Sequence, residues 1–245
     1  MRKKICAGNW KMYKTPKEAG EFFDSILASL KSNVKGGEIV IFPPALVCES
    51  VAKYVNGSSV HWGLQNSYFE SKGAFTGENS PDVAKAMGAT YVLVGHSERR
   101  KIFSESDSLL AKKVAYVQSI GLTPMLCVGE DLSERETGRT NEVILGQLDE
   151  GLKSADRKKP FVIAYEPVWA IGTGKVATPE QAEEAHVALR ERLGGLGEST
   201  RILYGGSVKP ENAGELAAKK NIDGFLVGGA SLEAKGFLQI LSSLQ

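Results

Sequence analysis

The chain alternates short apolar runs with longer segments of helical character, and this alternation restricts its fold more than any other feature. Eight apolar runs occur: Ile5–Ala7, Ile39–Phe42, Val60–Leu64, Tyr91–Val94, Thr123–Val128, Phe161–Tyr165, Ile202–Tyr204 and Gly224–Val227. The clearest helical segments are Pro16–Leu30, Leu109–Ser119, Thr140–Leu152, Pro179–Leu193, Pro210–Lys219 and Ala234–Leu244. Such alternation predicts parallel βαβ units. Eight units in 245 residues favour an α/β fold with one closed, eight-stranded parallel β/α barrel, residues 1–245 being a single domain.

Composition narrows the class of function. The chain has 30 basic and 29 acidic residues, and this balance argues against a broad nucleic-acid or membrane-surface footprint. The three cysteines, Cys6, Cys48 and Cys127, have no CxxC spacing, which disfavours a disulfide framework and a zinc site. No signal peptide and no apolar run of about 18 residues is recognisable. We expect a soluble, cytoplasmic protein with no nucleic-acid or membrane partner.

The residues that can do chemistry follow the predicted strands. They are Asn9 and Lys11, Gly95-His96-Ser97-Glu98, Gly129-Glu130, Glu166, Gly205-Gly206-Ser207 and Gly228-Gly229. In a β/α barrel these positions all lie at the C-terminal mouth, where active sites of this fold are built. One such residue means little, but the group predicts an active site.

Glu166 is the first candidate. It follows the apolar run Phe161–Tyr165 directly, and Pro167 then stops the strand and biases Glu166 towards an extended backbone. The next residues, Ala170–Lys175, are small and include two glycines, which is typical of a mobile loop that offers backbone N–H groups to an anion. An ordinary strand-to-helix connection is the alternative for this segment taken alone.

His96 and Lys11 complete the reacting groups. His96 lies at a tight turn into a short helix, whose N-terminal amides disfavour an imidazolium, so we predict a neutral imidazole that donates a hydrogen bond. His61 and His186 are interpreted as structural, and the absence of a neighbouring histidine argues against a metal. Strand alternation places Lys11 on the same face as Asn9, at the mouth, where a cation suits an anionic substrate.

Glycine pairs after the last two strands indicate where that anion binds. Gly205-Gly206-Ser207 and Gly228-Gly229, together with Gly172, favour a phosphate site formed by loop amides. The long segment from Ser67 to Ser80 contains Tyr68, Phe69 and Phe75 and has no clear periodicity. Long loops of this kind are usually functional. We predict that this one forms a surface for a partner, most simply a second copy of the chain.

These motifs resemble those of the triosephosphate isomerase family, in the family's order and over nearly the whole chain. The matching segments are Gly8–Met12, Gly95–Arg100, Cys127–Glu130, Ala164–Lys175, Tyr204–Val208 and Gly224–Leu232. The resemblance implies a TIM barrel that interconverts dihydroxyacetone phosphate and D-glyceraldehyde 3-phosphate through an enediolate. A glutamate base beside a neutral histidine electrophile is the known arrangement of that family, so these two roles come from the resemblance.

The resemblance also implies the role of each residue. Glu166 is the base, neutral His96 is the electrophile, Asn9 polarises the carbonyl, and Lys11 stabilises the enediolate and the phosphate. Gly172, Ser207, Gly228 and Gly229 hold the phosphate. The lid consists of Pro167, Val168, Trp169, Ala170, Ile171, Gly172, Thr173, Gly174, Lys175, Val176 and Ala177. No cofactor and no metal is implied.

A homodimer is implied as well. Thr76, at the tip of the long loop, reaches the partner's site near Lys11 and His96, and Phe75 and Gln65 belong to the same contact. Tyr13 and Asn79 depart from the family's pattern close to this contact. Two other interpretations stay open: a Schiff-base aldolase with Lys11 as its nucleophile, and a barrel that only binds phosphorylated metabolites.

Overall fold

The computed structural model describes residues 2–31, 37–173 and 175–244, and its eight parallel strands close into a barrel. The strands are β1 (Ile5–Asn9), β2 (Glu38–Phe42), β3 (Val60–Leu64), β4 (Tyr91–Val94), β5 (Thr123–Val128), β6 (Val162–Tyr165), β7 (Arg201–Tyr204) and β8 (Gly224–Val227). Each strand pairs with the next in sequence order, and β8 returns to β1. The predicted β/α barrel is confirmed.

Helices separate successive strands along the chain, and a last helix follows β8. They are α1 (Pro16–Lys31), α2 (Cys48–Val55), α3 (Pro81–Ala86), α4 (Ser97–Ile102), α5 (Asp107–Ser119), α6 (Leu132–Glu136), α7 (Thr140–Gly151), α8 (Pro179–Leu193), α9 (Pro210–Ala217) and α10 (Ala234–Ser242). Sequence periodicity did not predict α2, α3 and α6. Each has too few turns to display a repeating apolar face.

Four predicted strand boundaries need correction, and one of them matters for the site. β2 and β7 each begin one residue earlier than predicted, at Glu38 and Arg201. Phe161 precedes β6, which begins at Val162. β1 continues past the predicted end at Ala7 to Asn9, because its pairing with β2 extends to Asn9 opposite Phe42. The polar Asn9 is therefore a strand residue whose position is fixed by the barrel itself.

The barrel interior is filled with side chains. The inward-facing apolar residues are Ile5, Ala7, Val40, Phe42, Tyr91, Leu93, Met125, Cys127, Val162, Ala164, Leu203 and Leu226. Their alternation along each strand is the expected period of two. Gly63 of β3 makes room for this packing, since a Cβ there would lie 2.8 Å from the Phe42 ring. The interior is thus a packed core that supports a site at one end.

Two contacts fix the ends of this core. At the N-terminal end of the strands, Glu38 accepts hydrogen bonds from Tyr91 (2.5 Å) and Arg201 (2.9 Å), which places a polar cluster below the apolar layers. At the opposite end, the buried Trp10 indole donates to the Ser231 carbonyl at 3.0 Å. This bond joins the end of β1 to the turn after β8, so it sets Asn9 and Lys11 beside Gly228 and Gly229.

None of the helices in the described part of the chain has the length and apolar composition that a membrane span requires.

Candidate active site

A cavity of about 500 Å³ opens at the C-terminal ends of the strands. It is lined by Asn9, Lys11, His96, Glu166, Ile171, Gly172, Gly205, Gly206, Ser207, Val208, Lys209, Leu226, Gly228, Gly229 and Ala230. Loops after β1, β4, β6, β7 and β8 contribute to the wall. Every catalytic and phosphate-binding residue predicted from the sequence lies around this one cavity.

Glu166 is held at the end of β6 with its side chain almost fully buried. Its backbone N–H continues the ladder by donating to the Val128 carbonyl at 2.8 Å. The neighbouring loop passes so close that a Cβ at Gly129 would lie 1.7 Å from the Glu166 carbonyl oxygen. Glycine is therefore required at 129 for Glu166 to occupy this position.

The Glu166 carboxylate has two partners at the start of α4. Oε1 lies 3.0 Å from Nε2 of His96, and Oε2 accepts the Ser97 N–H at 2.8 Å. The two side chains expose only 8% and 2% of their surfaces, for His96 and Glu166 respectively. The geometry thus couples an acid–base pair through a short contact that water barely reaches.

The imidazole is oriented by the helix that follows it. His96 is the N-cap of α4, and the Glu98 N–H points at Nδ1 over 3.2 Å. An N–H donor needs a lone pair on Nδ1, so this contact places the ring proton on Nε2. Nε2–H then donates to Glu166. This tautomer is the neutral one.

The pKa values of the pair are shifted in opposite directions. Burial alone lowers the pKa of the His96 imidazole, but the adjacent Glu166 carboxylate, with a smaller contribution from Glu98, raises that pKa above its ordinary value. Burial alone raises the pKa of Glu166, whereas His96, the Ser97 amide and Lys11 together bring it below the ordinary value. The raised His96 pKa runs against the prediction of a neutral ring, and its cause is the contact with Glu166.

Lys11 is held in a strained conformation by neighbouring side chains. Its φ is +50°, which is unusual for a residue other than glycine. Asn9 Oδ1 accepts the Lys11 N–H at 3.0 Å, and Gln65 donates to the Lys11 carbonyl at 2.8 Å. The ammonium lies 2.5 Å from Glu98. Strain that the surroundings enforce is typical of functional positions.

The opposite wall of the cavity is formed largely by backbone. Gly172 has φ +68°, and Gly228 and Gly229 lead into a short 3-10 turn, Gly229–Ser231. Glycine is also needed at Gly205, where a Cβ would lie 2.9 Å from Cγ of Glu166. Backbone approaches the cavity here without intervening side chains, an arrangement suited to binding an anion through N–H groups.

Known protein families and curated proteins include clear relatives of this chain. The family model described as Triosephosphate isomerase matches residues 4–244. A triosephosphate isomerase of Bdellovibrio bacteriovorus is 56% identical over 243 residues, covering 98% of this chain and 99% of the relative. One from Thermoanaerobacter pseudethanolicus is 48% identical over 249 residues, covering 99% and 100%.

The chain belongs to the triosephosphate isomerase family. The resemblance seen in the sequence is confirmed, as is the prediction of an enzyme of the isomerase class.

The segment predicted to form a lid, Pro167 to Ala177, begins in a defined structure. Val168–Ala170 forms a 3-10 turn, Thr173 Oγ1 donates to the Trp169 carbonyl at 2.7 Å, and Ala177 is buried. Gly172 reaches the cavity, whereas Gly174 lies outside the described residues.

Glu130 anchors the start of this predicted lid segment, a contact that sequence reasoning missed. Its buried Oε1 accepts from Tyr165 at 3.1 Å and from the Trp169 indole at 2.9 Å. Arg135 also donates to it at 3.2 Å and lies over the Trp169 ring. The sequence placed Glu130 at the mouth but held no sign that its partners come from β6 and the lid.

Lys209 was missed as well. It adds a second lysine to the cavity wall, beside Gly206 and Ala230 of the two glycine-rich turns. Among the described residues, no group of three or more His, Cys, Asp or Glu side chains is arranged to hold a metal ion.

His186 is buried with Nδ1 3.2 Å from the Asn221 carbonyl, and burial lowers its pKa to about 4.

A second cavity, of about 580 Å³, opens beside Lys11 and is here named the Met12 groove. Its lining is Asn9, Lys11, Met12, Tyr13, Pro44, Ala45, Leu64, Gln65, Asn66, Gly77, Glu78, Asn79, His96, Glu98, Arg99 and Phe103. Met12, Tyr13 and Phe103 expose 93%, 59% and 61% of their surfaces. Gln65 lies in the groove, while Phe75 is half-buried and Thr76 is exposed in the adjoining loop.

The opposite pKa shifts of His96 and Glu166 give a direct prediction. Glu166→Gln removes the charge that raises the His96 pKa and leaves burial in place, so the His96 pKa should fall below about 6.5, the ordinary histidine value. The measurement is an NMR titration of the imidazole signals, which come from only three histidines.

Glu98→Gln is the matched control. Glu98 also raises the His96 pKa, but its side chain is 42% exposed, so its removal should cause a smaller fall. A His96 pKa that is unchanged in Glu166→Gln would contradict the coupling.

Proposed function

We propose that this chain interconverts dihydroxyacetone phosphate and D-glyceraldehyde 3-phosphate by moving one proton between adjacent carbons. The observation that carries the proposal is the buried contact of 3.0 Å between Glu166 and His96, which faces a cavity with a glycine-rich wall. A base and a hydrogen-bond donor on one side suit the reacting carbons. Backbone amides on the other side suit the phosphate.

The phosphate binds at the wall formed by Gly172, Ser207, Gly228 and Gly229. Backbone N–H groups there neutralise the dianion, and Lys11 adds a positive charge between the phosphate and the reacting carbons. A substrate anchored in this way carries its carbonyl towards His96 and Asn9. Binding energy from the phosphate, which does not react, then holds the reacting carbons close to Glu166.

Glu166 acts as the base. Its carboxylate leaves Ser97 and His96 and takes a proton from the carbon next to the carbonyl. The electron pair forms an enediolate, whose oxygen is stabilised by Nε2–H of His96, the Asn9 amide and the Lys11 ammonium. The carboxylic acid then returns the proton to the neighbouring carbon, while His96 transfers a proton between the two oxygens.

The raised pKa of His96 fits this sequence of steps. The shift comes from contact with the Glu166 carboxylate, and that contact ends when the carboxylate moves to the substrate carbon. Burial and the Glu98 amide at Nδ1 then favour the neutral ring. A neutral donor has a pKa closer to that of the enediolate oxygen than an imidazolium has, so it can both donate a proton and recover it.

The segment from Pro167 to Ala177 acts as the lid. Its first turn stays fixed through the Glu130–Trp169 bond, while Gly172 supplies the backbone freedom that closure needs. Closure excludes water from the enediolate, which would otherwise eliminate its phosphate.

The two other interpretations, a Schiff-base aldolase and a barrel that only binds phosphorylated metabolites, explain fewer features of the site. A Schiff-base aldolase needs an unprotonated lysine amine, whereas the Lys11 ammonium is paired with Glu98 at 2.5 Å. A barrel that only binds phosphorylated metabolites has no use for a buried Glu–His pair beside the anion site.

We also propose that the active unit is a homodimer. The Met12 groove lies next to the catalytic cavity and shares Asn9, Lys11 and His96 with it. We place the loop tip at Phe75 and Thr76 of a second copy there, since the groove exposes apolar side chains and ring contacts of Tyr68 with Phe69 and Phe75 stiffen the loop.

The free, buried cysteines suit a reducing compartment, and we propose the cytoplasm.

The reaction is tested by assay with D-glyceraldehyde 3-phosphate, with and without a chelator. We expect fast turnover that survives chelation, and loss of turnover in Glu166→Gln with phosphate binding retained. Glu166→Asp withdraws the base by about 1 Å and should cost on the order of a hundredfold in kcat. An inactive wild type that binds inorganic phosphate would favour the binding protein, and trapping of Lys11 by borohydride would favour the aldolase.

The dimer is tested by sedimentation of the wild type and Thr76→Glu. A carboxylate driven into the Met12 groove beside Glu98 should disfavour association, and kcat should fall at least about tenfold because the partner's loop no longer packs against Lys11. Glu142→Lys, on the exposed surface of α7, is the control and should stay a dimer. A wild type that sediments as an active monomer would refute the proposal.

A further inference from the structure

We propose that Arg100, held by Asp107, is a positioning residue that sets His96 against Glu166. The inference rests on the proposed function, since it concerns the same acid–base pair. Arg100 does not line the catalytic cavity, and nothing in the sequence motif distinguished it from the adjacent Arg99. In the structure, the contacts of Arg100 with backbone carbonyls distinguish it from Arg99.

The Arg100 guanidinium links β4 and β5 just beyond the last backbone pair of the two strands. Pairing of β4 with β5 ends at Val94 opposite Leu126, so the next residues along the two strands are Gly95 and Cys127. Arg100 Nε donates to the Gly95 carbonyl at 2.9 Å, and Nη2 donates to the Cys127 carbonyl at 3.0 Å. Arg100 therefore bridges β4 and β5 at the point where the chain turns away towards His96.

Each of these carbonyls belongs to a residue next to the reacting pair. Gly95 is covalently joined to His96, so fixing its carbonyl fixes the peptide plane from which His96 starts. Cys127 faces the barrel interior, where burial first and Glu166 second hold the pKa of its thiol well above the ordinary value. Arg100 thus acts on the backbone on both sides of the Glu166–His96 contact.

Gly95 is required for the arginine to reach this position. Its φ is +72°, and a Cβ there would lie 2.6 Å from Leu110 and 3.3 Å from Nη2 of Arg100. The glycine and the arginine act together: the left-handed turn aims His96 at the cavity, and the guanidinium holds that turn in place.

Asp107 completes the set of partners. Its Oδ1 lies 2.5 Å from Nη1 of Arg100, and Asp107 is the first residue of α5, whose N-cap Ser106 accepts the Leu109 N–H. Three separate acceptors are thus met by one planar guanidinium. A lysine, with a compact ammonium, cannot span the two carbonyls and the carboxylate together.

This geometry predicts an effect on kcat rather than on substrate affinity. The phosphate wall comes from loops after β6, β7 and β8, whereas the Arg100 guanidinium bonds to Gly95, Cys127 and Asp107. Displacing His96 by a fraction of an ångström should lower kcat about tenfold in Arg100→Lys and more in Arg100→Met, because catalysis depends steeply on alignment. KM and inhibition by inorganic phosphate should change less than about twofold.

The experiment compares Arg100→Lys, Arg100→Met and Asp107→Asn with the wild type. The matched control is Arg192→Met, which breaks another arginine–aspartate pair, to Asp149, on the exposed surface. Each protein is assayed for kcat and KM, for its melting temperature, and for the Nε2–H NMR signal of His96. That signal reports the His96–Glu166 hydrogen bond without reference to activity.

We expect the His96 signal to shift or broaden in the Arg100 variants and in Asp107→Asn, with kcat lowered, and to be unchanged in Arg192→Met. A fall in melting temperature with kcat and the His96 signal intact would overturn the proposal, because Arg100 would then only stabilise the pairing of two strands. If Arg100→Met does not fold, Arg100→Lys and Asp107→Asn decide by the same criteria. A wild type without isomerase activity would instead refute the proposed function, and the His96 signal would still test the positioning role.

Discussion

The structure depends on keeping a carboxylate ionised where water scarcely reaches it. Burial alone raises the pKa of Glu166, and the His96 imidazole, the Ser97 amide and Lys11 lower it below its ordinary value. These partners come from two parts of the chain far from Glu166, Lys11 after β1 and His96-Ser97 after β4, and the closed barrel brings them together because β1, β4 and β6 end at the same rim. The apolar interior below supplies rigidity, so that a contact of 3.0 Å can be maintained without solvent.

Close backbone packing is what makes this arrangement possible. Gly129 lets one loop pass directly against the Glu166 carbonyl, and Gly205 leaves space for the Glu166 side chain. Gly95 turns the chain so that His96 faces the cavity and Arg100 can close the end of β4 onto β5. Lys11 is different, since a non-glycine residue adopts a left-handed backbone there and is held by Asn9 and Gln65. In each case a local departure from regular structure aims a polar group at the same cavity.

Much of this could be predicted from the sequence, for physical reasons that differ between residues. A buried strand is recognisable in the sequence as an apolar run, so Glu166 and His96 could be placed at strand ends. Because parallel strands end at one rim, the two residues could also be placed near each other. The extension of β1 to Asn9 could not be predicted, because a polar residue there ends the apolar signal although the ladder continues. Glu130 and Arg100 were missed as anchors because each has a partner on a strand distant in sequence, Tyr165 for Glu130 and Cys127 for Arg100. Local sequence holds no signal for such long-range hydrogen bonds.

The most direct test of the account is isotope exchange during turnover in D₂O. If Glu166 carries the proton, its carboxylic acid exchanges with D₂O in a share of the turnovers, so dihydroxyacetone phosphate recovered after many interconversions should contain deuterium at C1. That deuterium should occupy a single stereochemical position, because the base reaches only one face of the substrate, and Glu166→Gln should give none over the same time. Deuterium in both positions, or incorporation by Glu166→Gln as fast as by the wild type, would contradict the role assigned to Glu166, because another group would then carry the proton.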